Sequence, residues 1–370
     1  MKRLKCVIMR GGTSKGVFFH EKELPQDSGE RTKTLLRVIG SPDKRQIDGL
    51  GGADILTSKV VIVGPPSRSD ANLDYIFGQV GITEPTIDFG TLCGNLSAAV
   101  GPFAIDEGLV RATGDTTLVR IFCPSVNRYL QAEIPTQDGK TCYEGSCSIA
   151  GVPGTASRIT LDFSDTAGLL TGKFLPTGNV RDKINLAGYG QVDITVVDAG
   201  TVVAFVKARD LELTGTESPE ELENNRPLIQ SLENLRIKVA EWIGMAGKSA
   251  LMPMVALVNP PLDYRNFATG EVVRANDINL ICRVYAAGMM HKAYPGTGAV
   301  ATGAAALLQG GVVNECLTGS SDLQETLILG HFSGRLPVEV AGNTGKNGFE
   351  LSKASIYSSA RRIMEGSVYI

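Results

Sequence analysis

The chemistry this chain could perform is concentrated around one thiol. Cys93 lies in IDFGTLCGNLSAAVGPFAIDEGL, residues 87–109, where a Gly-punctuated turn gives way to a helical pattern. Leu96, Val100 and Phe103 recur at helical spacing, with Ala98 and Ala99 between them. A thiol there meets the positive end of the helix dipole and unpaired N–H donors, which favour the thiolate. The N–H groups of Gly94 and Asn95 are suited to a carboxylate. One element can thus hold an anion and present a base or nucleophile to it. A buried, inert cysteine at a helix start is the competing reading, and the stretch alone does not choose. Two other places offer partners. The GGTSKG segment puts Thr13, Ser14 and Lys15 at a hairpin tip, either an anion-binding tip or an ordinary solvated turn. It lacks the GxxxxGK[ST] spacing of a phosphate loop. Lys59 opens the β-branched run VVIV after the Gly49–Gly52 loop, where a lysine is more often solvated than catalytic.

These residues need elements to hold them. Residues 4–9 and 17–19 read as the arms of the hairpin, and 30–40 as an amphipathic helix stopped by Gly40. Residues 72–80, 116–122 and 128–134 read as strands, with Asp138-Gly139 as a turn. Residues 165–184, rich in Gly, Thr and Pro, mark a boundary between domains 1–184 and 185–370, and the last strand returns to the first domain in one version of this division. The order of elements then repeats. A hairpin is expected around Asp198-Ala199-Gly200 and a helical region over 218–244, capped by Ser218 with Pro219 at its first position. Residues 254–258 read as a strand, and 276–290 as a helix or long strand. The stretch 291–313, HKAYPGTGAVATGAAALLQGGVV, again runs from a Gly/Thr turn into a small-residue helix. Thr297 and Gly298 would offer N–H donors there, as Gly94 and Asn95 do. His291, just before, is a substrate contact or a structural histidine. Asn347-Gly348 reads as a turn, and Arg361 and Arg362 as surface residues before a final strand. The expected architecture is α/β, two halves of strands wrapped round a central helix, with facing helix N-termini making a positive cleft for a polycarboxylate.

Composition excludes several classes. The chain has 370 residues, is 43% hydrophobic and 20% charged, and balances 36 basic against 39 acidic residues. That is a globular composition with no nucleic-acid or membrane-binding charge. The seven cysteines include no CxxC, which reads as a reduced, cytoplasmic chain. The three histidines are scattered and form no metal motif. No stretch approaches the roughly 20 apolar residues of a membrane span.

Several motifs together, CVIMRGGTSKGVFF, GSPDKRQIDGLGGADILTSKVVIV, DFGTLCGN, DTAGLLTGKFLPTGNV and ARRIMEGSVYI, resemble the PrpF-type family of cofactor-free isomerases. That family includes 2-methylaconitate cis–trans isomerase, 3-methylitaconate Δ-isomerase and 4-oxalomesaconate tautomerase. TGTESP, HKAYPGTG and GGVVNEC look most like the 3-methylitaconate branch. The resemblance implies the diaminopimelate-epimerase-like fold, two pseudo-symmetric halves, and no pyridoxal phosphate or metal cofactor. A homodimer would be unsurprising for that fold. In that branch a cysteine of CGN, a lysine of TSK and a serine of GTSKG are implicated, matching Cys93, Lys59 and Ser14. The related epimerases carry a second cysteine just before GTGA. Here Pro295 stands in that place, which disfavours a two-thiol racemase. The implied reaction is a 1,3-allylic proton shift in an unsaturated di- or tricarboxylic acid. Cys93 and Lys59 would exchange the proton. Thr13 and Ser14 would hold a carboxylate, and the N–H groups of Gly94, Asn95, Thr297 and Gly298 would stabilise the dienolate. An epimerase or racemase and a non-catalytic carboxylate-binding protein are the alternatives.

Overall fold

The computed structural model describes residues 2–247, 249, 252–286, 288–317, 326–345 and 348–370. The expected turn at Asn347 falls outside them. Contacts divide the chain into two compact units, Met1–Leu161 with Tyr357–Ile370, and Asp162–Ile356.

The first unit holds β1 (Arg3–Gly11), β2 (Ser14–His20), α1 (Ser28–Ile39), β3 (Lys59–Gly64), β4 (Leu73–Val80), β5 (Ile87–Asp88), α2 (Gly94–Asp106), β6 (Thr116–Cys123), β7 (Arg128–Gln137), β8 (Lys140–Thr141) and β9 (Ile159–Asp162). The second holds β10 (Asp182–Leu186), β11 (Gly190–Ala199), β12 (Thr201–Lys207), α3 (Pro219–Asn224), α4 (Arg226–Trp242), β13 (Met254–Asn259), β14 (Tyr264–Arg265), β15 (Val272–Val273), β16 (Leu280–Ala286), β17 (Met289–Met290), α5 (Gly296–Ala306), β18 (Thr326–His331), β19 (Gly334–Gly345) and β20 (Gly348–Ser358). The final strand, β21 (Ala360–Tyr369), pairs antiparallel with β1 in the first unit.

The repeat shows in the pairing. In the first unit the hairpin β1–β2 is followed by parallel β2–β3, antiparallel β3–β4, parallel β4–β6 and antiparallel β6–β7. In the second, the hairpin β11–β12 is followed by parallel β12–β13, antiparallel β13–β16, parallel β16–β18 and antiparallel β18–β19. An outer helix, α1 or α4, crosses between the second and third strand of each series. A central helix, α2 or α5, precedes the fifth. α2 packs on β1, β2, β3, β7, β8 and β21, and α5 on β11, β12 and β19. Small side chains make this enclosure possible: every residue of α5 is buried, and so are Leu96–Ile105 of α2. By contrast α1 is amphipathic. Its Leu35, Val38 and Ile39 are buried, Asp27 caps its start and the left-handed Gly40 (φ 82°) ends it.

Four expectations need adjustment. Residues 280–286, read as helix or strand, form β16, buried on both faces, where periodicity carries no signal. The helical region after Ser218 is two helices. Ser218 and Glu221 form a capping box for α3, and Asn225 ends it and caps α4. The unit boundary lies at 161/162, so residues 165–184 belong to the second unit. Asp198 explains this: its Oδ2 accepts from Leu170 N (2.8 Å), Thr171 N (2.6 Å) and Thr171 Oγ1 (2.8 Å). Its carbonyl also takes Gly168 N–H at 2.8 Å. A segment that reads as a linker by composition is a loop folded onto a buried carboxylate. Arg362, expected at the surface, is partly buried in ion pairs with Glu107 and Glu365.

Candidate active site

The first unit gathers six of the expected residues around the start of α2. The β1–β2 tip lies directly against the helix's first turn, and two glycines permit the approach. A Cβ on Gly11 would stand 2.6 Å from the carbonyl oxygen of Asn95, and one on Gly12 (φ 50°) would stand 2.6 Å from Asn95 Oδ1. Asn95 Nδ2 donates to Thr13 Oγ1 at 3.0 Å and to Ser14 Oγ at 3.4 Å. Each hydroxyl therefore accepts from the protein and keeps its own proton to donate. Arg10 ties the tip down, Nη1 donating to the carbonyls of Gly12 (2.9 Å) and Ser359 (3.0 Å). Burial pushes its pKa down.

Cys93 is the N-cap residue of α2, and its Sγ accepts the N–H of Leu96 at 3.4 Å. The N–H groups of Gly94 and Asn95 are the remaining orphan donors of the first turn. Ser97 Oγ donates to the Cys93 carbonyl at 2.8 Å. The buried Tyr75 interacts with Cys93 and Ser97, and burial drives its phenol pKa well above the ordinary value. The hydroxyl of Thr91, two residues before the thiol, is buried with no partner among the described residues.

Lys59 arrives from the loop after α1. Gln46 Oε1 accepts from Ala53 N and Ser58 Oγ, both at 2.8 Å, and Lys15 N donates to Leu56 O at 2.9 Å, fixing the approach to β3. Lys15 serves through its backbone here, within β2 rather than at the tip. The β3–β4 register places Lys59 opposite Gln79. Lys59 is only 7% exposed, so it is not the solvated strand-end lysine its position alone suggests. Its Nζ donates to Gln79 Oε1 at 2.6 Å and sits 5.0 Å from the centre of the Phe77 ring, and Cys93 acts on it electrostatically. Burial pushes its pKa down, against weaker opposing effects of Cys93 and Asp54. A thiol and an electrostatically coupled amine with a depressed pKa, next to two hydroxyl donors and the N–H groups of the first turn, form an acid–base pair beside an anion cradle.

The other expected residues lie in the second unit. Pro295 is the N-cap of α5 and makes no side-chain cap bond, so the first-turn N–H groups, with those of Thr297 and Gly298 among them, have no such partner. His291 is buried. Its N–H donates to Val284 O at 2.8 Å, and its Nδ1 accepts from Ala293 N at 3.2 Å, holding the turn before α5. It lies near His331, whose pKa burial, Arg283 and His291 lower to about 3. Gln79 and Tyr75 were not foreseen. The available signal was alternation: Tyr75, Phe77 and Gln79 share one face of β4, where a polar side chain among aromatics must find a partner.

The chain matches the PrpF protein family model over residues 1–370. It belongs to the PrpF family. A 3-methylitaconate isomerase from Eubacterium barkeri is 45% identical over 100% of this chain and 97% of its own. A 4-oxalomesaconate tautomerase from Pseudomonas putida is 38% identical over 100% and 96%. A crystal structure of a methylitaconate-delta-isomerase superposes with a TM-score of 0.83 at 45% identity, covering 100% of this chain and 96% of that one. A hydroxyproline epimerase from Agrobacterium vitis, 13% identical, shares the fold alone, with a TM-score of 0.63 over 99% of this chain and 92% of that one. The fold of this PrpF-family chain is the diaminopimelate-epimerase-like one, and kinship at this level makes it an isomerase.

Proposed function

We propose that the chain catalyses a 1,3-allylic proton shift in an unsaturated di- or tricarboxylic acid, with 3-methylitaconate the first candidate. One arrangement carries the reading: a buried Lys59 acting on Cys93 at the start of α2, with the Asn95-held hydroxyls of Thr13 and Ser14 on the same helix turn. The reaction needs a base at the carbon beside the alkene and an acid at the far alkene carbon. When the C–H bond breaks, its electron pair forms the new C=C bond. The old π pair then takes a proton at the other end. In 3-methylitaconate the methylene becomes a methyl group. Between these events negative charge spreads onto the conjugated carboxylate. The hydroxyls of Thr13 and Ser14 and the N–H groups of Gly94 and Asn95 are the donors for it. Cys93 and Lys59 fill the two proton-transfer roles, one removing and one returning. In the reverse direction the roles exchange.

A keto–enol-type tautomerisation, as the name of the Pseudomonas relative indicates for that protein, uses the same proton shift on a different acid. An epimerase is disfavoured, because Pro295 brings no ionisable group to the N-cap of α5. Among the described residues no helix is long and apolar enough to cross a membrane. Together with the free thiols this supports a cytoplasmic enzyme. The test is proton NMR in D₂O with 3-methylitaconate, 2-methylaconitate, aconitate and 4-oxalomesaconate, using Cys93→Ser and Lys59→Met as controls. Loss of vinylic signal and gain of a deuterated methyl, abolished in both variants, is expected for 3-methylitaconate. No exchange on any of the four acids refutes the proposal.

A further inference from the structure

Gln79 has no part in the reaction as proposed above, yet it holds Lys59 by a short, buried hydrogen bond. Its Oε1 accepts from Nζ at 2.6 Å and its Nε2 donates to Ser58 O at 3.0 Å. Both ends of the amide are used, so it cannot turn over without facing a donor with a donor. It is 9% exposed. The other groups facing Lys59 are few. Phe77, from the same face of β4, offers its ring, and Cys93 its sulfur from the start of α2. Asp54 acts from the preceding loop, where its Oδ1 accepts from Leu56 N at 2.8 Å. Tyr75 interacts with Cys93. No carboxylate is within ion-pair distance of Lys59 among the described residues, although β4 supplies a hydrogen-bonding side chain directly opposite it.

The second repeat shows that the fold does not require this pair. Val60 there corresponds to Val255, each one residue into the third strand and paired with the fourth. The places of Lys59 and Gln79 are then taken by Met254 and Ala286. A polar pair in one repeat, and an apolar pair in the other, points to function.

We propose that Gln79 is a positioning residue that aims the Lys59 ammonium while withholding a counter-charge. A glutamate would fit the same space and accept the same hydrogen bond. It would also hold the proton on Lys59, because an opposite charge in contact raises an amine pKa by about 1–3 units. An amide orients the amine and leaves its proton transferable. This inference rests on the acid–base role proposed for Lys59.

The experiment compares Gln79→Glu, Gln79→Met and Lys59→Met. It uses pH profiles of kcat and kcat/KM with the acid that turns over, and the titration of Lys59 followed at its ¹³Cε in ¹³C-lysine-labelled protein, assigned by its loss in Lys59→Met. In Gln79→Glu, Lys59 should titrate about 1–3 units higher, and the limb of the kcat/KM profile that reports Lys59 should move up with it. Gln79→Met should lower kcat at least tenfold with KM within about twofold, because an unaimed amine misplaces the proton rather than the substrate. An unmoved Lys59 titration in Gln79→Glu, or parental kcat in Gln79→Met, overturns the proposal. A fully active Lys59→Met overturns the role of Lys59 instead, and the two failures are told apart. The titration arm needs no substrate.

Discussion

Replacing Gly11 by alanine tests whether the hairpin tip is built to touch α2. The added Cβ would fall 2.6 Å from Asn95 O, 3.0 Å from Leu96 Cα and 3.2 Å from Ala99 Cβ. The first two are backbone atoms of a helix buried on all sides, so the hairpin must give way. Going from 2.6 Å to the 3.4 Å of ordinary contact is a retreat of about 0.8 Å. If the tip moves by that amount, Asn95 Nδ2 reaches Thr13 and Ser14 at about 3.8 and about 4.2 Å, outside hydrogen-bond range. Overpacking of this kind costs about 1–3 kcal/mol. The catalytic loss is larger, since a misplacement of about 1 Å at a reacting group is worth about a hundredfold. Gly11→Ala should therefore lower kcat/KM about 10–100-fold in the NMR assay and reduce the melting temperature by a few degrees. Gly11 does not have a left-handed φ, so backbone strain cannot be the cause. A variant with kcat/KM within threefold of the parent and an unchanged melting temperature would refute the close-packed tip as the device that holds Thr13 and Ser14.

Lys59→Met should abolish turnover while leaving the melting temperature equal or higher. Its folded pKa lies below the unfolded value of 10.5, so the unfolded chain binds the proton more readily and the lysine costs stability at neutral pH; calorimetry should also show a shallower rise of stability towards pH 10.5 in the variant. His331 works in the acid range: its pKa, lowered from 6.5 to about 3, makes its contribution complete above pH 6.5 and lost as pH falls towards 3. Denaturant titrations across that window should show a shallower loss in His331→Asn than in the parent. Asp198→Ala strands the donors of Leu170 and Thr171 and should cost about 2–4 kcal/mol in the same measurement.

Much of the fold was legible because each unit obeys local rules. Asp27, Gly40, Ser218 and Pro219 mark helix ends by their own chemistry. The strand–turn–helix around Cys93 is visible from Gly90, Gly94 and the apolar spacing after it. What the sequence hides is lateral. Nothing in QVG or SKV says that Gln79 lies across from Lys59, because strand register is set by the packing of both faces rather than by either strand. Asp198 is hidden in the same way. Its partners precede it by 27 and 28 residues, and glycines and threonines whose N–H groups converge on a carboxylate look like a linker. The Lys59 position was undervalued for one physical reason. Exposure at a strand end is the default only when no neighbouring element covers it, and here the start of α2 does.

The two repeats separate what the fold needs from what the chemistry needs. Both close a hairpin onto the second residue of a small-residue helix: Gly11 and Gly12 against Asn95, and Gly200 against Thr297, whose carbonyl a Cβ would approach to 3.3 Å. Both pack that helix on corresponding strands, α2 on β1, β2 and β7 and α5 on β11, β12 and β19. The departures are at the places that bear protons. Cys93 is answered by Pro295, Lys59 by Met254 and Gln79 by Ala286. Each replacement is apolar or lacks a proton to exchange, and the second unit folds on the same plan with them. A buried amine with a depressed pKa and a buried hydroxyl without a partner at Thr91 are costs that packing alone would remove. Both belong to the unit that carries the thiol, Lys59 acting on Cys93 and Thr91 lying two residues before it. That asymmetry is what an enzyme with one acid–base pair, rather than two matched thiols, requires of a duplicated fold.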